Sequence, residues 1–159
     1  MKQRELSLWL KFIVGLAGVM GLFLCFWFAP VYGRMLAAKE PSRAYLFWPC
    51  LIYVWAACIP VYIALFEAWK IFTNIGKDKS FIHENVHRLK TITRLSIIEV
   101  VLYFGAAILL LLVDLVNIQI FIVIFIILFA SMFVSVCASV LSHLVSKAVQ
   151  LQEENDLTI

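Results

Sequence analysis

Four long apolar runs leave this chain few folds to choose from. They are Phe12–Tyr32, Ala44–Phe66, Leu95–Val113 and Leu115–Val145, and Glu99 is the one formally charged residue inside any of them. An α-helix rises about 1.5 Å per residue, so roughly 20 residues cross a hydrocarbon core of about 30 Å. By that measure all four qualify, the third being short and the fourth longer than needed. A soluble fold of 159 residues with 64% hydrophobic content would expose large apolar patches. The expectation is an all-α, four-helix transmembrane bundle forming one domain, with spans near 12–32, 44–66, 95–113 and 118–143. The first run exceeds a signal-peptide core, lacks an A-x-A-like site and ends in Phe26-Trp27-Phe28, so it reads as a retained span.

Basic residues orient the bundle. If each run crosses once, ten of the thirteen Lys and Arg fall on one side: Lys2, Arg4, Lys11, Lys70, Lys77, Lys79, Arg88, Lys90, Arg94 and Lys147. Arg34, Lys39 and Arg43 fall on the other. The excess of Lys and Arg marks the cytoplasmic side, so both termini, the loop 67–94 and the tail 146–159 are expected there. The formal net charge of +3 then needs no nucleic acid to explain it, and a basic rim also attracts anionic lipid.

Cys25, Cys50, Cys58 and Cys137 all lie in the spans, and no CxxC pair exists. Cys50 and Cys58, eight residues apart on one helix, are too distant to bond. All four read as buried small apolar residues. Gly15, Ala17, Gly18 and Gly21 give the first helix a face that a neighbour can approach closely. Tyr45, Phe47 and Trp48 stand where an aromatic belt would. Pro60 sits mid-span, removes the N–H that would bond the Ala56 carbonyl, and should kink its helix. Ser131, Ser135, Ser139, Ser142 and Ser146 recur at helical spacing, a helix contact face or a polar lining. In the middle loop, Gly76-Lys77-Asp78-Lys79 reads as a turn and Ser80 as the cap of a short amphipathic helix from Phe81, lying at the inner interface.

Two constellations carry chemistry. His83-Glu84-Asn85-Val86-His87 satisfies H-E-x-x-H, in which two imidazoles on one helical face bind zinc and the Glu activates its water. A third ligand is missing nearby, and Arg88 and Lys90 oppose a cation, so the match reads as a solvated face. His83 and His87 remain weak metal candidates. The second constellation is an intramembrane polar cluster of Glu67, Glu99 and His143, with Lys70 and Arg94 at the same level. An ionisable residue inside a membrane is a functional hypothesis by default, and a structural ion-pair cluster is its competitor. No phosphate loop, dinucleotide fingerprint or nucleophile elbow occurs, so no enzyme activity and no cofactor are expected.

The stretch Gly76-Lys77-x-x-x-Phe81-x-x-Glu84-Asn85-x-x-Arg88-Leu89-Lys90-x-Ile92, with the closing Leu151-x-Glu153-Glu154-Asn155-Asp156-Leu157-Thr158-Ile159, resembles the bacterial membrane-protein family known as domain of unknown function 2975. Overall length, four spans and Glu5-Leu6-Ser7 to Leu10-Lys11 fit as well. The resemblance implies a small inner-membrane protein without an assigned activity. It also implies a membrane-bound partner or antagonist of a small cytoplasmic helix-turn-helix regulator encoded beside it. Phe81, Glu84, Asn85, Leu89, Glu154, Asn155, Asp156 and Leu157 would then form the partner-binding surface. A small transporter or proton-coupled carrier using Glu99, Pro60 and the serine face is the alternative, and a zinc metalloprotease ranks third. Small-residue faces permit self-association but serve packing within one chain equally well.

Overall fold

The computed structural model describes residues 3–114 and 117–157, the side chains of residues 156 and 157 excepted. Among the described residues every regular element is helical. The first span begins as α1 (Gln3–Phe23), widens into one π-helical stretch (Leu24–Phe28) and continues as α2 (Ala29–Lys39). A 3₁₀ segment (Pro41–Leu46) leads into α3 (Phe47–Ile75). Two further helices follow, α4 (His83–Leu112) and α5 (Ile118–Leu157). Four helices are long and apolar enough to cross a membrane.

The π-helical turn has a local cause. Ala29 donates to the Leu24 carbonyl in the wide pattern, and the next donor would be residue 30, a proline without an N–H. The Cys25 carbonyl is bonded instead by the Trp55 indole of α3, at 3.1 Å. The glycine face of α1 meets α3 as well. Gly15 lies against Trp69 and Gly18 against Leu65, while Tyr62 donates to the Gly18 carbonyl at 2.8 Å. A Cβ at Gly21 would stand 2.8 Å from the Tyr62 hydroxyl, so close helix approach is what excludes a side chain there.

The helices form an open row. α1 packs on α3, α3 on α4, and α4 most extensively on α5; among the described residues α1 reaches neither α4 nor α5. The tight turn after α4 explains the last pairing, since two antiparallel helices so connected must be neighbours. The seam of α4 is Asn85, Leu89, Ile92, Ser96 and Glu99, all buried at three- and four-residue spacing. Ala138, Ser142 and Val149 are the buried residues of α5. The serine stripe is a contact face in part: Ser142 is buried and its hydroxyl donates to the Val86 carbonyl at 3.4 Å, whereas Ser139 is exposed. α3 passes through Pro60 without a break in its helical assignment.

Three expectations are corrected. Residues 83–94 are not a separate interfacial helix: they are the first turns of α4, because Val86, Leu89 and Ile92 are buried in the bundle and carry the helix straight on. Ser80 does not cap it; Ile82 precedes the helix in extended conformation, and no side chain caps it. The cysteines are not four buried apolar residues either. Cys50 and Cys137 are exposed on the outside of the row, and Cys25 of α1 is joined to Cys58 of α3 as a disulfide. Spacing along one helix could exclude a bond within it, but said nothing about a facing helix.

Candidate functional site

The most elaborate polar structure lies at the basic end, where α3 turns into α4. Asn74 begins it: its carbonyl accepts from the amides of Lys77 and Lys79, each at 3.0 Å, and Asp78 adopts a left-handed φ of 58° to close the turn. Asn85, at 1% exposure, then fastens the turn from inside. Its amide donates to the carbonyls of Lys79 and Ser80, both at 3.0 Å, and its side-chain oxygen accepts from Asn74 at 2.8 Å. Gly76 is required by proximity. A Cβ there would stand 2.7 Å from the Ser7 hydroxyl, which donates to the Phe72 carbonyl at 2.5 Å and ties α1 to the turn.

One turn further, ionic contacts brace the same corner. The Arg88 guanidinium donates to Glu67 at 2.6 Å and also bonds Glu84, while Glu67 pairs with Lys70 at 3.4 Å. The side chains of Arg88 and Glu67 are largely enclosed, at 16% and 17% exposure, so this bridge is not an ordinary surface pair. Hydrogen bonding and charge from Arg88 hold the Glu84 carboxyl below its ordinary range. Burial works against the Arg88 charge, and bonds from Glu84 and Glu67 outweigh it.

The loop and the C-terminal tail meet here. His83, the first residue of α4, contacts Glu153 near the end of α5 through Nε2 and Oε1 at 2.9 Å. Phe81 stands beside them at 55% exposure, and Leu151 is exposed on α5. Sequence reasoning expects these two segments to contribute residues to one surface, and the residues named for it differ in exposure. Asn85 and Leu89 are buried and build the corner rather than its face, so neither is available to a partner. Phe81 and Glu84 are exposed, as are Glu154 and Asn155, which are also engaged within the protein. The side chains of Asp156 and Leu157 lie outside the described residues. Arg88, Gly76 and Asn74 were missed as keystones. The signal for Asn85 was present, since it shares the heptad-like seam with Leu89 and Ile92.

Glu67, Glu99 and His143 do not form one cluster. Glu67 belongs to the Arg88 bridge, His143 is exposed on α5, and Glu99 is buried alone on the α4 seam. The reason is helix phase: Arg94, five residues before Glu99, falls on a different side of α4 and is exposed. Around the H-E-x-x-H match, His83 turns to Glu153, Glu84 to Arg88, and His87 is exposed. Among the described residues no group of three or more His, Cys, Asp or Glu is placed to hold a metal ion.

Four helices long and apolar enough to cross a membrane, joined by short connections, define a polytopic membrane protein. The chain belongs to the family described as protein of unknown function DUF2975, which matches residues 31–159. It is also similar to a Bacillus subtilis (strain 168) protein named uncharacterized membrane protein YoaS. The identity is 33% over 158 residues, covering 98% of this chain and 99% of the relative. No solved structure matches it significantly.

Proposed function

We propose that this chain is a non-enzymatic bacterial inner-membrane protein whose basic end faces the cytoplasm and binds a small helix-turn-helix transcription regulator. The supporting observation is the His83–Glu153 contact. It brings together two segments seventy residues apart, the start of α4 and the end of α5, which also carry the family resemblance. Gly76, Asn85, Arg88 and Leu89 build the corner from inside, and Phe81, Glu84 and the acidic end of α5 lie exposed on it as the face that a protein partner would read. An exposed aromatic residue among charges is the kind of anchor that interfaces use.

The test removes Glu153–Ile159 from the chain in cells carrying a fluorescently tagged regulator from the neighbouring gene. Release of the regulator from the membrane and altered transcription of its target are expected. Unchanged localisation and transcription would overturn the reading. The orientation is checked separately by placing a single reactive cysteine at Lys77 in a chain without its native cysteines. An impermeant thiol reagent should label it only after the cells are opened.

A further inference from the structure

Glu99 is the most unusual group in the protein. It is 4% exposed, it lies within a membrane-crossing helix, and neither carboxyl oxygen has a hydrogen-bond partner. A carboxylate in that position would carry its full charge into an apolar environment with nothing to replace the lost water. Charged groups inside membranes persist when they are paired, neutralised or in service.

Pairing is not available in this arrangement. On its own helix the nearest cation, Arg94, is exposed, and Arg88 is committed to Glu67 and Glu84. Tyr103 stands one turn beyond Glu99 on α4, within electrostatic range of it and of Tyr53. On α3, Tyr53 donates its hydroxyl proton to the Leu102 carbonyl at 2.5 Å, and Lys70 is held by Glu67 nearer the basic end. The antiparallel course of α5 puts Ser131 and Ser135 nearest this level. Cys137, His143 and Lys147 lie closer to the basic end, and all three are exposed. α1 does not pack on α4. Among the described residues, therefore, no group facing Glu99 from these helices offers it a positive charge.

The Tyr53–Leu102 bond also fixes what stands across from it. Glu99, three residues before Leu102, is level with the stretch of α3 from Ala56 to Pro60 in this antiparallel pair. There the Ala56 carbonyl lacks its α-helical donor, because residue 60 is proline.

We propose that Glu99 is a membrane-embedded proton-binding site. It holds one proton on its carboxyl while α3, α4 and α5 are packed as seen, and loses it when these helices part at the Ala56–Pro60 stretch and admit water. The ligand is a proton, and binding it requires no net transport. This goes beyond partner binding and does not depend on it: it supplies the bundle with a protonation state that its packing can follow.

The test uses the full chain in nanodiscs. At neutral pH, infrared absorption should show a carboxylic C=O stretch that shifts in D2O, is absent from Glu99→Gln, and disappears reversibly as the pH is raised. In the same preparations the wild type and Glu99→Gln should unfold at similar temperatures at a pH below about 4, where the carboxyl keeps its proton in the unfolded chain as well. Because the packed state favours the protonated form, wild-type stability should fall below that of Glu99→Gln as the pH rises from the ordinary carboxylate range to the point at which the band is lost, and level off beyond it. Should Glu99→Gln fail to fold, Glu99→Asp keeps a carboxyl and should move the band rather than abolish it. A carboxylic band region insensitive to both substitutions, or a wild type as stable as Glu99→Gln at every pH, would overturn the proposal.

Discussion

The two ends of the molecule that project from the apolar spans are built on different principles. At the basic end the helices continue packing beyond the spans: Ile71, Asn85, Val86, Leu89 and Val149 are buried, and side chains fasten one helix to the next. At the far end, contacts are exposed. Arg43 reaches Glu40 at 3.3 Å and Asp114 at 3.5 Å, the Asp114 side chain is 93% exposed, and Tyr32 bonds Gln119 at 2.9 Å. The first end has enclosed polar groups that require specific partners, so its geometry is determined by many bonds at once. The second has pairs that water can replace at little cost. In a bundle so arranged, the basic end is expected to open less readily than the far end.

Substitutions at the basic end should therefore cost far more than those opposite. The largest effect is expected for Asn85→Leu, which leaves the Asn74 amide and two loop carbonyls without their partner. At about 1 kcal/mol or more for each lost bond, the total is roughly 3 kcal/mol, read by denaturant unfolding in detergent micelles. Next comes Arg88→Met, expected to cost about 2 kcal/mol because the enclosed Glu67 then keeps only its longer contact with Lys70. Adding Glu67→Gln should recover most of that, and a double-mutant cycle in the same assay would show the coupling. Gly76→Ala drives a methyl group into Ser7 and should cost about 1 kcal/mol, partly relieved by Ser7→Gly. The smallest effect sharpens the contrast from the other side. Arg43→Ala should change stability by less than about 0.5 kcal/mol, and a larger loss would mean that the far end is fixed too.

Much of this architecture was legible in the chain itself. Four apolar runs read as spans and became four helices, because run length is a direct measure of what can cross a membrane. The glycine face of the first helix was read as a packing surface, and Trp69, Leu65 and Tyr62 of α3 occupy it. What the sequence concealed was partnership between helices. Glu67 and Arg88, 21 residues apart, are joined only once α3 and α4 turn back on each other. Cys25 and Cys58 are joined across α1 and α3 for the same reason. The loop helix was misread because amphipathic spacing cannot distinguish a helix lying on lipid from one lying on its neighbours. Here the apolar stripe of residues 86, 89 and 92 faces the bundle.

The contrast between the ends is tested most directly by hydrogen–deuterium exchange of the full chain in nanodiscs. Two segments outside the proposed spans are compared, residues 83–94 at the basic end and 33–43 at the far end. Slower exchange of 83–94, by about a hundredfold after correction for intrinsic rates, is the expected result, since those amides open only when the packed corner does. Equal exchange in the two segments would contradict the account, because the basic end would then be no more fixed than the end it is contrasted with.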